Sequence, residues 1–486
     1  MSEDRELFDI IIIGAGLSGV SAAVHLSKQS PGARWCILES RESMGGTWDL
    51  FRYPGVRSDS DMHTLGFSFR PWTSENAIAE GGEILQYIKE TADRYEIAKK
   101  IQYGHQVAAA NWSDLDNCWH LEVSVEGESR PRTFRCRMLH VCAGYYNYEQ
   151  PHNPVLTDEQ RFTGPLVHPQ HWPEDLDYRD KKVVIVGSGA TAVTLAPAMA
   201  RTASEVTVLQ RTPTYIVARP SIDKVAVWLN RLLPASWAYA LVRKKNIALQ
   251  QWVYRQSRRR PQQLKRRLLE MTQKELQTDI SPHFTPPYYP WDQRLCLSPD
   301  ADFFKAVNDA KINMVTDHIE RVVPNGIVTS SGQEIAADII VKATGLNLNL
   351  LGDIRFSMNG EELNMSDTWT YKGLMFSGVP NLICTFGYIN ASWTLRADLT
   401  AEFLCRIWQH LQVRGAHTCR PMLREQDKSM MARPFIDDFS SGYMQRAMDK
   451  MPKQGDRAPW LNTQSYAEDK KELRYGNVND GVLKFL

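Results

Sequence analysis

Two stretches of this chain repeat one grammar: a short aliphatic run, a glycine-rich turn, a helical pattern and a second strand. Asp9-Ile-Ile-Ile-Ile13 leads into Gly14-Ala-Gly16-Leu-Ser18-Gly19, a helix is predicted over Val20–Lys28, and Trp35-Cys-Ile-Leu-Glu39 comes next. Lys182-Val-Val-Ile-Val186 leads into Gly187-Ser188-Gly189-Ala190-Thr191-Ala192-Val193, and Val206-Thr-Val-Leu-Gln210 closes the second unit. Continuous apolar runs of this length suit strands covered on both faces, and strands alternating with helices make a parallel sheet. The predicted fold class is α/β, with two Rossmann-like dinucleotide-binding domains and a helical insertion in the second.

The two units part company beyond the turn. In both, glycines let backbone approach a pyrophosphate, and the helix amino end offers unpaired N–H groups and a positive dipole. After the first turn, Glu39 lies twenty residues beyond Gly19, where a carboxylate accepts hydrogen bonds from a ribose diol. After the second stands Gln210-Arg211, and a guanidinium there pairs with a ribose 2′-phosphate that an acid would repel. The first site therefore suits FAD and the second NADPH. A chain with both is a flavoprotein that takes hydride from NADPH.

Eight cysteines are scattered without a Cys-x-x-Cys pair, so neither a redox disulfide nor a zinc site is encoded, and no metal is expected. Dioxygen is then the acceptor for the flavin's electrons. The start, Met1-Ser-Glu-Asp-Arg-Glu6, is acidic and runs into a strand, so no signal peptide is expected and the reading is cytoplasmic. A formal net charge of +1 gives no ground for a nucleic-acid partner. Val225–Val242 has the look of a membrane span, but Asn230, Arg231 and Pro234 lie inside it. Charge there costs about 2.5 kcal/mol or more, so a helix packed on protein is predicted instead.

Composition and pattern divide the chain into 1–150, the first part of the FAD domain; 151–220, the first part of the NADP domain; 221–285, the helical insertion; 286–343, the second part of the NADP domain; and 344–486, the rest of the FAD domain with a C-terminal cover. The insertion is basic, with Lys244, Lys245, Arg258, Arg259, Arg260, Lys265, Arg266 and Arg267, and it carries Trp228, Trp237 and Trp252. Two readings stand: a solvated helical face, or a peripheral contact with an anionic membrane that collects apolar substrates.

Between the two units lies Phe162-Thr-Gly164-Pro-Leu-Val-His168-Pro-Gln-His-Trp172-Pro173, and early in the chain Gly45-Gly46-Thr47-Trp48-Asp49-Leu50-Phe-Arg-Tyr53-Pro54-Gly55-Val-Arg57-Ser58-Asp59. Both runs, in this order, resemble the signatures of the type I Baeyer–Villiger monooxygenases, and the resemblance covers nearly the whole chain. It implies an NADPH- and O2-dependent flavin monooxygenase that turns ketones into esters or lactones through a C4a-peroxyflavin. Oxidation of sulfides and thioamides at sulfur is implied beside it. The alternatives are a flavin N/S-monooxygenase, an NADPH oxidase, or a non-catalytic FAD/NADPH redox sensor.

By position in these motifs, Arg294 and Asp59 are the implied catalytic pair, with Asp59 orienting the guanidinium. A permanent positive charge in a water-poor site supports an oxygen anion and the oxyanion of an adduct. The resemblance adds Gly46, Thr47, Trp48, Asp49, Leu50, Arg57, Ser58 and Val107 to the residues that contact cofactor. Gln293 stands where many relatives carry a lysine for the 2′-phosphate, which leaves Arg211 as the main source of NADPH preference. His168 is read as an organiser of the interdomain linker, not a base. Gly387–Trp393 is expected to lead into an amphipathic helix, Leu395–His410, whose start faces the flavin.

Overall fold

In the computed structural model, which describes residues 6–437 and 441–486, the first aliphatic run becomes β1 (Leu7–Ile13). The acidic lead-in Met1–Arg5 lies outside the described residues. β1 is followed by α1 (Leu17–Gln29) and β2 (Trp35–Leu38), and it pairs in parallel with β2 on one side and with Arg132–Val141 on the other. Its side chains alternate between two cores: Ile10 and Ile12 enter one, Ile11 and Ile13 the other. Each fully buried aliphatic side chain contributes roughly 1.5–3 kcal/mol, which is why the run carries no polar residue after Asp9. The sheet continues through antiparallel Cys118–Val125 and His105–Ser113.

The second run forms β3 (Lys182–Val186), followed by α2 (Ala190–Met199) and β4 (Glu205–Gln210). With Ile312–Thr316, Ile339–Lys342 and Leu166–Val167 these strands make a five-stranded parallel sheet.

Between Ile216–Arg219 and Cys296–Pro299, themselves paired in parallel, run three helices: α3 (Lys224–Leu232), α4 (Ala235–Arg259) and α5 (Pro261–Glu275). The single helix predicted over Val225–Val242 is thus two. Pro234 has no N–H to donate and forces Leu233 into extended backbone, which parts them. The insertion docks away from its own unit. Arg243 of α4 donates to the carbonyls of Gly66 (2.7 Å), His63 (2.9 Å) and Thr64 (3.1 Å), and Tyr239 Oη donates to Phe67 O at 3.0 Å. No helix among the described residues is long and apolar enough to cross a membrane.

Beyond residue 344 the chain returns to the first sheet, where Arg355–Met358 joins His105–Ser113 and Leu382–Cys384 joins Arg132–Val141. The next helix, α6 (Trp393–Arg414), packs on α1. The amphipathic character expected of it holds only in its second half. Its first two turns are buried, Arg396 and Asp398 included, and solvent reaches one face from Glu402 on through Arg406 and Gln409. Arg396 is ion-paired with Asp469, and Asp398 takes up Ser21 Oγ (2.6 Å), so the buried charges are satisfied.

Candidate active site

The first glycine turn leaves β1 at its carboxyl end, where ligands collect in open parallel sheets. Gly14 has φ +99°, and a Cβ there would stand 2.7 Å from Cys142 O. At Gly19 a Cβ would stand 1.9 Å from Gly14 O, so the third glycine serves the close packing of α1 against the turn. No side chain caps α1, which leaves backbone N–H groups at its start for a ligand. Glu39 is buried; it accepts from Ala15 N at 2.6 Å and Arg41 N at 3.0 Å. Burial pushes its carboxyl above the usual range, and those N–H groups pull against that shift.

Around this turn lies a cavity of about 450 Å³. Gly14, Gly16, Ser18, Glu39, Gly46 and Thr47 line one part of it, and Trp48, Arg57, Ser58, Asp59 and Val107 line more. Gly46 faces Gly16 so closely that a Cβ on it would meet Gly16 Cα at 3.2 Å. A glycine cradle, free helix-end donors and a buried acid together fit a flavin dinucleotide. Three expected contacts fall outside this lining: Gly19, Leu50 and Asp49. Asp49 is buried and committed to Arg41 (2.8 Å), Arg52 (3.0 Å) and Ser43 Oγ (2.5 Å), so its carboxylate is structural.

A second cavity, about 650 Å³, lies between α4, α5 and the segments around Trp291 and Ile389. Its walls are mostly apolar: Leu249, Trp252, Leu264, Leu268, Met271 and Leu297. Asp59 and Arg294 line both cavities and so stand where the two meet. Asp59 and Arg294 act on each other electrostatically, with no contact at ion-pair distance between them among the described residues. The phenol of Tyr145 lies beside Arg294, and its hydroxyl is 2.8 Å from that of Tyr146. Burial works against the Arg294 charge, while Tyr145, Asp59 and Tyr146 raise its pKa above the ordinary arginine value. Burial pushes both phenols well above their ordinary range. Burial also raises the Asp59 carboxyl, against the pull of Arg294 and Arg57. Arg57 itself is paired with Asp302 at 2.5 Å.

Neither Tyr145 nor the apolar cavity is identified from sequence. Tyr145 stacks on Trp393 at 4.9 Å, and Trp393 Nε1 donates to Ser18 Oγ at 2.7 Å, tying the start of α6 to the first glycine turn. Trp252, one of the aromatics of the insertion, is the one signal in the sequence that points to the cavity.

The second glycine turn is more open. Gly187 has φ +134° and its Cβ would meet Ala343 O at 2.3 Å, whereas Gly189 is exposed with nothing near a Cβ. Ser188 Oγ is held by Thr212 O at 2.7 Å. Ala190 and Thr191 open α2, but Ala192 and Val193 are buried in the core, and the N–H of Val193 already bonds Gly189 O at 3.1 Å. Gln210 is also withdrawn from any nucleotide: it is buried and donates to His283 O (2.7 Å) and Thr316 Oγ1 (3.0 Å). Arg211 is exposed just beyond it. Gln293 is half-buried and lines neither cavity.

The signature segment spans the two units. A Cβ on Gly55, at φ +77°, would stand 2.8 Å from Ala198 Cβ and 2.9 Å from Thr194 O of α2, and the Tyr53 hydroxyl bonds Thr191. In the linker motif, Gly164 passes so close that a Cβ would meet Asp338 O at 2.1 Å. Phe162 and Trp172 pack against the two cores of the second unit, and Pro173 O accepts from Leu176 N. His168 Nδ1 accepts from Gln170 N, and Nε2 lies 3.2 Å from Gly345 O, where the chain turns back to the first sheet. It lines neither cavity, and burial pushes its imidazole down to about 4. Elsewhere, Asp116, Cys118 and His120 bring three ligand-type atoms together, with the Arg135 guanidinium against Cys118 Sγ.

A family profile described as flavin-binding monooxygenase-like matches residues 8–279. The chain is 48% identical over 483 residues to the FAD-containing monooxygenase EthA of Mycobacterium tuberculosis, spanning 99% of this chain and 98% of that one. It is 45% identical over 480 residues to a probable FAD-binding monooxygenase, AlmA, of Acinetobacter baylyi, spanning 98% and 96%. Among solved structures, an oxidised steroid monooxygenase bound to NADP superposes with a TM-score of 0.79 at 20% identity, covering 99% and 100%. An open cyclohexanone monooxygenase superposes at 0.75 and 18%, covering 99% and 100%. These two likenesses are of fold.

Proposed function

This chain belongs to the flavin-binding monooxygenase-like family, and from that premise we propose that it is an FAD-dependent Baeyer–Villiger monooxygenase using NADPH and O2. One oxygen atom enters between a carbonyl carbon and its neighbour, giving an ester or lactone. The other leaves as water, with two electrons from NADPH and a proton. The observation that carries the reading is the junction: Asp59 and Arg294 border both the glycine-lined cavity and the apolar one.

The first cavity holds FAD through Gly14, Gly16, Glu39 and Gly46, and Arg211 with the second turn holds NADPH. Reduced and bound, the flavin supplies activated oxygen. The apolar cavity seats the ketone and strips water from it. Arg294 then faces negative charge developing on the substrate oxygen, in a site where a fixed guanidinium acts with little screening. The guanidinium is permanently charged, and Asp59 and Tyr145 beside it hold its position. His168, tied to Gly345 and outside both cavities, organises the linker. Sulfides and thioamides fit the same cavity as secondary substrates.

The test is Arg294→Ala. Flavin reduction by NADPH should proceed at a near wild-type rate, while ester formation falls by about a hundredfold or more. Wild-type ester yield from this variant would remove Arg294 from the reaction.

A further inference from the structure

We propose that the helical insertion docks on anionic lipid bilayers and that the apolar cavity opens toward the bilayer, so that lipid-dissolved substrate reaches it without crossing water. This rests on the ketone-oxidising reading only for what happens to substrate after it enters.

On α3, Val225, Trp228 and Leu232 recur at the spacing of one helix face, and all three are exposed. On α4, Trp237, Leu241 and Trp252 fall on one face and are exposed as well. Trp228 keeps 59% and Trp237 68% of its surface in water, in a chain that buries large indoles elsewhere. Scattered single apolar residues need no explanation; a run of them along two adjoining helices does. The run also continues inward. Leu249, Trp252 and Met271 wall the cavity that ends at Arg294, and the same side chains are 44%, 49% and 39% exposed. The cavity wall and the outer stripe are one surface.

Charge selects the occupant. Residues 221–285 hold thirteen Lys and Arg against four Asp and Glu, although the whole chain is only +1. Lys224, Arg231, Lys244, Arg259 and Arg266 are exposed around the apolar stripe. A second copy docking through this face would set positive against positive across a symmetric interface. An anionic bilayer meets both features: basic side chains at the headgroups and indoles at the interface. With no helix among the described residues suited to crossing, the insertion would lie on the surface.

The full-length, FAD-loaded protein is sedimented with vesicles of phosphatidylcholine alone or of equimolar phosphatidylcholine and phosphatidylglycerol. It should bind only the latter, less so as salt is raised. Trp228→Ser with Trp237→Ser, and separately Arg231→Glu with Lys244→Glu, should each lower binding by about tenfold or more. Vesicles containing phosphatidylglycerol should speed turnover of a long-chain ketone and leave a small water-soluble ketone unaffected, and both double variants should keep the wild-type rate on the small ketone. Failure of wild type to bind, equal binding by both variants, or a dimer in solution that buries Trp228 and Trp237 would each overturn the proposal. Vesicle binding needs no turnover, so binding without ketone oxidation breaks only the reaction assigned above, and oxidation without binding breaks only this inference.

Discussion

The two glycine turns begin alike and end in different surroundings. The first sits at the carboxyl end of a central strand, roofed by Trp393, Tyr145 and the Gly45–Asp59 segment, with its acid buried. The second lies on a shelf, with Gly189 and Arg211 in water. The opening glycine of both turns has backbone where a Cβ would stand, at 2.7 Å for Gly14 and 2.3 Å for Gly187; they differ at the helix start, where Gly19 would meet Gly14 O at 1.9 Å and Gly189 meets nothing. An enclosed turn suits a cofactor that stays through many turnovers, and an open one suits a cofactor that arrives and departs.

The comparison breaks most readily at Gly19 and Gly189. Gly19→Ala drives a Cβ into Gly14 O and should cost about 3 kcal/mol, with loss of bound flavin on gel filtration. Gly189→Ala has open space and ordinary backbone, φ −74°, and should shift the melting temperature by no more than about 1 kcal/mol allows. Equal damage from the two would show that the start of α2 is as tightly packed as that of α1.

Arg211→Ala should sharpen it. The loss should fall on NADPH alone, raising its KM roughly tenfold or more, the worth of about 1.5–3 kcal/mol for a charge-assisted contact. KM for NADH and flavin content should stay put; a matching rise for NADH would move 2′-phosphate recognition elsewhere.

The smallest effect is expected at His168, which ties the linker to Gly345. Burial lowers its pKa to about 4, so the stability it lends is present above its unfolded value and fades as pH falls through about 4. Urea midpoints of wild type and His168→Asn should therefore differ by about 1 kcal/mol at neutral pH and converge toward pH 4. A gap that stays constant over that window would mean that the imidazole's charge is not coupled to the fold.

Much of the scaffold could be read from local pattern. Strand, turn and helix lie within thirty residues of each other, so β1, α1, β3 and α2 follow from aliphatic runs and glycines alone. Side-chain direction could not be read that way. Asp49 and Gln210 sit inside motifs yet point into protein, because tertiary neighbours such as Arg41 and His283 claim them. The Arg294 environment draws on Tyr145 and Trp393, far apart in the chain, and the apolar cavity needs α4 and α5 to meet residues near 390. Pairing at such separations leaves no periodic trace in sequence. Pro234 did leave one, and it marks where one expected helix became two.

Gly55 carries a consequence for how such a chain can vary. With room for no Cβ against Thr194 and Ala198, and with a left-handed backbone besides, it couples the histories of two units that otherwise keep separate cores. A larger residue at Ala198 has no slack on the facing side to absorb it. Inherited changes on that face of α2 must come with changes in the segment that delivers Asp59, four residues later, to the junction of the cavities. The two nucleotide units can drift in their own interiors, but along this seam they can only drift together.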